Sequence, residues 1–421
     1  MASQRKLQNI FKGDRCIWVI FFLLCVVSVT EVYSSSSLLG YKSGNYWFAA
    51  VYHTGLLFVG LFLMVIVLNI PIRFFKVLIP IMSIVSVIGL VLVYIIGTAS
   101  NDASRWISIG GIALQPSELA KGTMVFLTAM ILSDNQTEDG ANPKAVKYIG
   151  IASVFLILPI LPENFSTAAL LAAVVFMMMI IGRVPAKYLL GIFFGAIGIV
   201  ALVVMMVLWL GEVQQPAVAE DGRQLTEEIA SNNIAAMKSR GGILHRFDSW
   251  KGRIERFTDN ERVDPKDYDL DKNGQVGYAN IAIAKSNFIG LGPGNSEQRD
   301  FLPLAFSDFI YAIIFEELGW LGALFVAFLY ITLLFRAGTI ARRCKYSFPA
   351  YMAMGAALLL VTQAVFNMMV AVGLVPVTGQ PLPLISKGGT SSIINCMYIG
   401  VILSVSRTAT LRDELVEEKN E

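Results

Sequence analysis

"FLPLAFSDFIYAIIFEELG", residues 301–319, is the stretch on which the class of this chain turns. Asp308 stands at the mouth of an apolar run, Phe309 to Phe335, and Glu316 and Glu317 lie inside that run. A run of that length suffices to cross a bilayer, which takes about 20 residues. A carboxylate at membrane depth costs roughly 2.5–3.5 kcal/mol on insertion scales unless it is paired, so each of the three is a candidate functional residue.

The rest of the chain repeats the pattern. Of its 421 residues 55% are hydrophobic and only 15% charged, and runs near transmembrane length recur along most of its length, which a soluble core of this size does not require. The expected fold is an all-α polytopic membrane protein of about ten transmembrane helices, at 16–33, 46–69, 77–98, 115–133, 148–161, 167–182, 188–210, 309–335, 350–373 and 391–406. Five segments follow: a cytoplasmic start at 1–15, seven spans over 16–210, a large extracytoplasmic loop at 211–307, three spans over 308–406, and a cytoplasmic tail at 407–421.

Loop charges orient this bundle. Arg5, Lys6, Lys12, Arg15, Arg73, Lys76, Lys144, Lys147, Arg183, Lys187, Arg336, Arg342, Arg343, Lys345, Arg407, Arg412 and Lys419 all fall on one side of the ten-span arrangement. The short loops opposite hold little beyond Lys42, Arg105 and Lys387, so the positive-inside rule places both termini in the cytoplasm and Asp308 at the outer face. The first span, with its basic start and Ser-rich exit, has signal-peptide features; it is read as retained, because nine spans would put the basic tail outside. Cys16, Cys25, Cys344 and Cys396 sit in apolar or cytoplasmic settings where no structural disulfide is expected. The net charge of +2 selects no partner; membrane lipids are expected around the chain, and no nucleic acid.

The loop at 211–307 is too long for a plain connection. Leu225, Ile229, Ile234 and Met237 recur at helical spacing, which reads as an interfacial helix. Further on, "SNFIGLGPGNS" carries Gly290, Gly292, Gly294 and Pro293, which prescribe a tight backbone path. "DLDKNGQVGYAN", 269–280, matches the first half of a calcium loop at Asp269, Asp271, Asn273 and Gly274, but Asn280 stands where a bidentate Glu is needed. Those residues are therefore either a divalent-ion site or a polar turn. His53 and His245 lack metal-ligand spacing and read as structural.

Two further stretches carry chemistry. "SRWISIGGIALQPSELAKG", 104–122, holds Arg105, Glu118 and Lys121; Glu118 and Lys121 are three apart and so neighbour each other on a helix, either as an ion pair fixing helix contacts or as part of a substrate site. Pro116 suits the first turn of an apolar helix, where Ser117 or Gln115 could meet an anionic group. "PVTGQPLPLISKGGTSS", 376–392, has three prolines and three glycines between apolar runs. Such backbone must be buried in protein or line a water-filled cavity. Ser386 and Lys387 then become candidate substrate contacts, with Lys387 beside Gly388 and Gly389 either binding phosphate or snorkelling to the interface.

On an ideal helix Glu316 lies about 12 Å beyond Asp308, farther than the roughly 5–9.5 Å between paired glycosidase carboxylates. This spacing does not offer Glu316 as an acid/base partner, and Asp308 reads either as a base or as a helix cap. Its face continues through Ala312, Phe315, Gly319 and Gly322, a stripe suited to close helix packing.

With these stretches in hand, the chain resembles the SEDS (FtsW/RodA) family of bacterial cell-wall polymerases. The matching stretches, "RWISIGG", "QPSELAK", "GLGPGNSEQRDFLPLAFSDFIYAIIFEELG" and "GLVPVTGQPLPLISKGGTSS", fall in order on the expected spans, and the Gly-Pro-Gly-Asn-Ser form favours the division branch, FtsW, over the elongation branch, RodA. The resemblance implies a peptidoglycan glycosyltransferase that polymerises lipid II into glycan strands on the outer leaflet of the inner membrane, with release of undecaprenyl diphosphate. It also implies Asp308 as the catalytic residue, Glu118, Lys121 and Arg105 as the family's other charged positions, a divalent cation (Mg or Mn), a class B penicillin-binding protein and other divisome proteins as partners, and a place at the division septum. Three positions depart from the family pattern: Leu304 in place of Glu, Lys387 in place of Tyr, and Pro162-Glu163 in place of Pro-Asp. Two other classes remain open from the residues alone, a lipid II flippase and a scaffold without catalysis.

Overall fold

The computed structural model describes residues 12–35, 47–96, 98–100, 103–109, 112–211, 270–302 and 305–420, with isolated positions between 247 and 258. Helices α1 (Arg15–Ser35), α2 (Trp47–Asn69), α3 (Ile72–Ile96), α4 (Pro116–Asp134), α5 (Lys144–Leu156), α6 (Phe165–Ile181) and α7 (Ala186–Leu210) precede the long loop. Beyond it follow α8 (Leu270–Lys285), α9 (Ile310–Arg343), α10 (Ser347–Ala371) and α11 (Thr390–Asn420). Seven of the described helices are long and apolar enough to cross a membrane, and α4, α5 and α6 supply the three shorter segments expected between them. The chain is a multi-pass membrane protein.

Local chemistry explains the ends. Pro71 stands just ahead of α3 and Pro116 opens α4, where the missing amide hydrogen is not needed; Arg73 and Lys76, expected in a loop, therefore lie in the first turns of α3. Asn164 caps α6, its Oδ1 accepting from the Thr167 amide at 3.1 Å. Asp14 does the same for α1 through the Cys16 and Ile17 amides, and its carboxylate also binds Arg336 at 2.6 Å.

The chain divides into two compact units. The larger comprises 1–186, 270–374 and 378–421. At its centre lies α10, packed against α4, α6, α9 and α11, while α2 packs along α11 and α1 against α2 and α9. The smaller, 187–269 with 375–377, contains almost all of α7, whose side chains are nearly all exposed within it, and a tie from Lys251 Nζ to the Gly211 carbonyl at 2.9 Å.

Three features differ from expectation. First, a small antiparallel meander precedes α4: β1 (Thr98–Ser100), β2 (Ala103–Ile109) and β3 (Ile112–Leu114), with Ile109 opposite Ile112. Ile107, Ile109 and Ile112, and the Gly110-Gly111 pair between the strands in sequence, favour strands over a plain loop. Second, α8 takes up Asp271 and Asn273, so the calcium-loop and polar-turn readings both give way to helix; the pattern needs loop backbone to converge its oxygens. Asp269, His245 and the expected interfacial helix at 225–237 lie outside the described residues. Third, α9 is not one continuous helix.

The break is at Gly319, with φ 69° and ψ −171°, a conformation open essentially to glycine alone. Four backbone groups freed by it exchange hydrogen bonds with residues 287–292. Leu291 N and Gly292 N donate to the carbonyls of Glu316 and Glu317 at 2.9 and 2.8 Å, and Trp320 N and Leu321 N donate to those of Asn287 and Phe288 at 3.2 and 3.3 Å. Broken backbone at membrane depth persists only where protein or a water-filled cavity satisfies it, and here protein supplies the partners. The small-residue stripe drawn along an unbroken α9 therefore stops at Gly319.

Candidate active site

The glycines singled out above shape the approach to Asp308. Gly290, Gly292 and Gly294 all have positive φ, 86°, 89° and 85°, and a side chain at Gly290 would run into the Glu317 carbonyl. The path they permit brings a row of amides onto two fully buried carboxylates. Glu317 accepts from Gly294 N at 3.0 Å, Ser296 N at 3.2 Å and the Ser34 hydroxyl. Glu316 accepts from Glu297 N at 3.1 Å, Gln298 N at 3.3 Å and the Ser296 hydroxyl. Arg299 Nη1 adds bonds to Ser34 Oγ and the Gly294 carbonyl, at 3.0 and 2.6 Å. The two glutamates of the opening stretch thus anchor the loop that leads to Asp308.

Asp308 sits in the turn 305–309, one position before Phe309, the N-cap of α9. Three consecutive carbonyls of that turn are held from outside it. Phe306 O accepts from Lys387 N at 2.9 Å, Ser307 O from Ser386 Oγ at 2.6 Å, and Asp308 O from Asn367 Nδ2 at 2.8 Å. The carboxylate, half-buried, faces Gly379, where a Cβ would lie 3.6 Å from Oδ2; the φ of 70° there again calls for glycine.

The Pro/Gly stretch opposite is embedded in protein, as its composition requires. Its carbonyls are met one by one: Gln380 O by Asn367 Nδ2 at 2.7 Å, Pro381 O by Gln363 Nε2 at 3.1 Å, Pro383 O by the Tyr330 hydroxyl, and Ile385 O by Ser28 Oγ at 2.8 Å. Since the Ser28 hydroxyl hydrogen goes to Ile385, His53 Nε2 donates to Ser28 at 2.8 Å, which is the structural role expected of His53. Leu384, with φ 67°, is held in a left-handed conformation unusual for its type within this turn.

Glu118 and Lys121 pair as their spacing predicts, Nζ to Oε1 at 2.8 Å, with both side chains at or below 5% exposure. Lys121 also donates to Gln363 Oε1 at 2.9 Å, and the Tyr398 hydroxyl fixes the Glu118 carbonyl at 2.9 Å. The Lys387 Nζ lies 5.1 Å from the centre of the Phe306 ring, and burial lowers its pKa. Arg105 falls on β2, its side chain outside the described set, as is Leu304; Glu163 is buried in the turn before α6. Asp308, Ser386 and Lys387 are thus brought together, and Glu118 and Lys121 reach them through Gln363 and Asn367. Those two amides went unremarked in the sequence; the available signal was a pair of amides four apart inside an apolar helix.

No group of three or more His, Cys, Asp or Glu side chains placed to hold a metal ion occurs among the described residues. Asp308, a single half-exposed carboxylate, still suits an ion of the Mg2+ class, which is commonly bound by one carboxylate, water and substrate phosphates.

The chain is 30% identical over 407 residues to the "Probable peptidoglycan glycosyltransferase FtsW" of Buchnera aphidicola, covering 93% of each. It is 29% identical over 411 residues to the protein of the same name from Halomonas elongata, covering 94% of this chain and 90% of that one. Its fold superposes on a chain of a solved peptidoglycan synthase complex with a TM-score of 0.67 at 20% identity, covering 95% of this chain and 99% of that one. The family model for the cell cycle proteins FtsW, RodA and SpoVE matches residues 14–411, and the chain belongs to that family.

Proposed function

We propose that the chain is a peptidoglycan glycosyltransferase that polymerises lipid II into glycan strands and releases undecaprenyl diphosphate. Family membership and the names of the curated relatives support the reaction class. The observation that carries the assignment of Asp308 is the pinning of carbonyls 306, 307 and 308 by Lys387, Ser386 and Asn367. A turn held at three successive peptides fixes a carboxylate as general-base geometry demands, since small misplacements are costly.

In the reaction, the acceptor sugar hydroxyl attacks the anomeric carbon of the donor as Asp308 takes its proton, and the diphosphate departs with the bonding electrons. A diphosphate needs no protein acid to leave, so one carboxylate suffices. Arg105 is the proposed source of positive potential for its developing charge, while Lys121, neutralised by Glu118, bears on the site through Gln363. Asp308 is the described residue that would hold a divalent cation, Mg2+ or Mn2+, which when bound would supply further positive charge for the leaving diphosphate. The proposed orientation has both termini in the cytoplasm of the inner membrane and Asp308 at the outer face. The proposed partner is a class B penicillin-binding protein at the division septum, in keeping with the relative solved within a synthase complex.

The test is gel analysis of glycan strands made from labelled lipid II by the purified protein, with and without its partner, for wild type, Asp308→Asn and Asp308→Glu. Asp308→Asn keeps the size of the side chain and removes the base, so near-complete loss of strands is expected with thermal stability and partner binding intact. Asp308→Glu should rescue poorly, because one added methylene displaces the carboxylate by about an ångström. Normal strands from a well-folded Asn variant would overturn the assignment, as would a wild type that moves lipid II across vesicles without joining it.

A further inference from the structure

Gln363 and Asn367 lie one helical turn apart on the same face of α10, at 1% and 0% exposure. Each amide is orientated by partners that allow one arrangement only. Lys121 Nζ can only donate, so Oε1 of Gln363 faces it at 2.9 Å, and Nε2 is left for the Pro381 carbonyl at 3.1 Å. Asn367 faces two carbonyls, which can only accept, so both hydrogens of its Nδ2 are used, toward Asp308 O at 2.8 Å and Gln380 O at 2.7 Å. The carbonyls of Gln380 and Pro381 are consecutive, and Gly379, which the Asp308 carboxylate faces, immediately precedes them. Gln380 is tied in turn to α6 through Thr167 Oγ1 at 2.6 Å. A continuous polar chain therefore runs from the buried Lys121–Glu118 pair through Gln363, the 380–381 peptides and Asn367 to the backbone of Asp308.

We infer that Gln363 and Asn367 are positioning residues for glycan transfer: together they set the Asp308 carboxylate against Gly379 and couple its placement to Lys121. This inference rests on the function proposed above. Neither amide touches the reacting atoms; each acts by holding backbone. A turn pinned at 306 and 307 but released at 308 would let the carboxylate swing, and a displacement of about 1 Å costs up to about 100-fold in rate.

The test uses the full chain with its partner and measures initial rates of lipid II polymerisation against lipid II concentration, scaled to the folded fraction seen in thermal melting. Asn367→Asp keeps the shape and removes both donors when ionised and one of the two when protonated. It should lower kcat by about 10- to 100-fold with KM within about twofold, a split that mispositioning produces and lost substrate binding does not. A folded Asn367→Asp with normal kcat, or one whose loss lies in KM, overturns the inference. Gln363→Met, which removes the amide at similar volume, provides the second measurement should Asn367→Asp fail to fold. In a Glu118→Gln, Lys121→Met background, which leaves no unpaired buried charge, Gln363→Met should cost less than about threefold in kcat, because both act through one chain of contacts; losses that multiply independently overturn the coupling. Asp308→Asn in the same assay separates the two levels. Full activity there refutes the general-base reading itself, whereas an inactive Asp308→Asn beside a normal Asn367→Asp refutes only the positioning role.

Discussion

Replacing Lys121 by Met would leave the Glu118 carboxylate buried without its cation. The ammonium is the partner of Oε1 at 2.8 Å, Oε2 has no hydrogen-bond partner among the described residues, and Tyr398 binds the backbone carbonyl of Glu118. Breaking a buried pair from one side costs about 3–5 kcal/mol, and the orphaned Gln363 oxygen adds about 1 kcal/mol. Against a total stability of roughly 5–15 kcal/mol, that is a large share. Restoring neutrality should recover most of it: Glu118→Gln combined with Lys121→Met replaces the ion pair by groups of similar volume, a change that is often close to neutral. The assay is thermal melting of wild type, both single variants and the double variant in one detergent, with polymerisation measured on the same samples. A Lys121→Met protein that melts with wild type would refute the energetic role of the pair. A double variant that melts normally but makes no strands would locate the need for Lys121 in the reaction, beyond its part in holding helices together.

Gly319→Ala should destabilise the chain and expose the segment 286–300 to protease, because the backbone there is nearly closed to other residues and a Cβ would meet the backbone of residues 288–290; unchanged melting and cleavage would show that the break is not held as described. A reporter fused after Arg343 should read cytoplasmic and one inserted near residue 240 external, and the opposite readings would reverse the proposed orientation of Asp308.

Much of the bundle was legible because lipid leaves few options. Apolar runs of sufficient length have to be helices, and the ten segments read from hydropathy correspond to α1 to α7 and α9 to α11. Tertiary pairing was less visible. Glu316 and Glu317 announced that they needed partners, yet nothing local tells that those partners are backbone amides some twenty residues upstream; the glycines at 290, 292 and 294 showed only that the path was tight. The break at Gly319 was missed because helical periodicity was carried through a glycine that other glycines in helices tolerate. The meander at 98–114 was overlooked beside the stronger signal of α4. Asp308 was picked out by its stretch and the resemblance, and Ser386 and Lys387 separately by the Pro/Gly stretch, whereas Gln363 and Asn367, which connect them to Lys121, look like two ordinary polar positions in an apolar span.

The four backbone bonds across the break at Gly319 also bear on how the chain is made. A helix interrupted within hydrocarbon cannot wait long for partners, since each unsatisfied backbone group there costs several kcal/mol. Residues 287–292, which supply those partners, precede 316–321 in the chain and so leave the ribosome first. When the interrupted helix enters the bilayer, the segment that completes it has already been synthesised. Transplanting α9 alone into another membrane protein would therefore carry over an insertion signal that is incomplete, while a transplant that begins at Ser286 would bring its own complement.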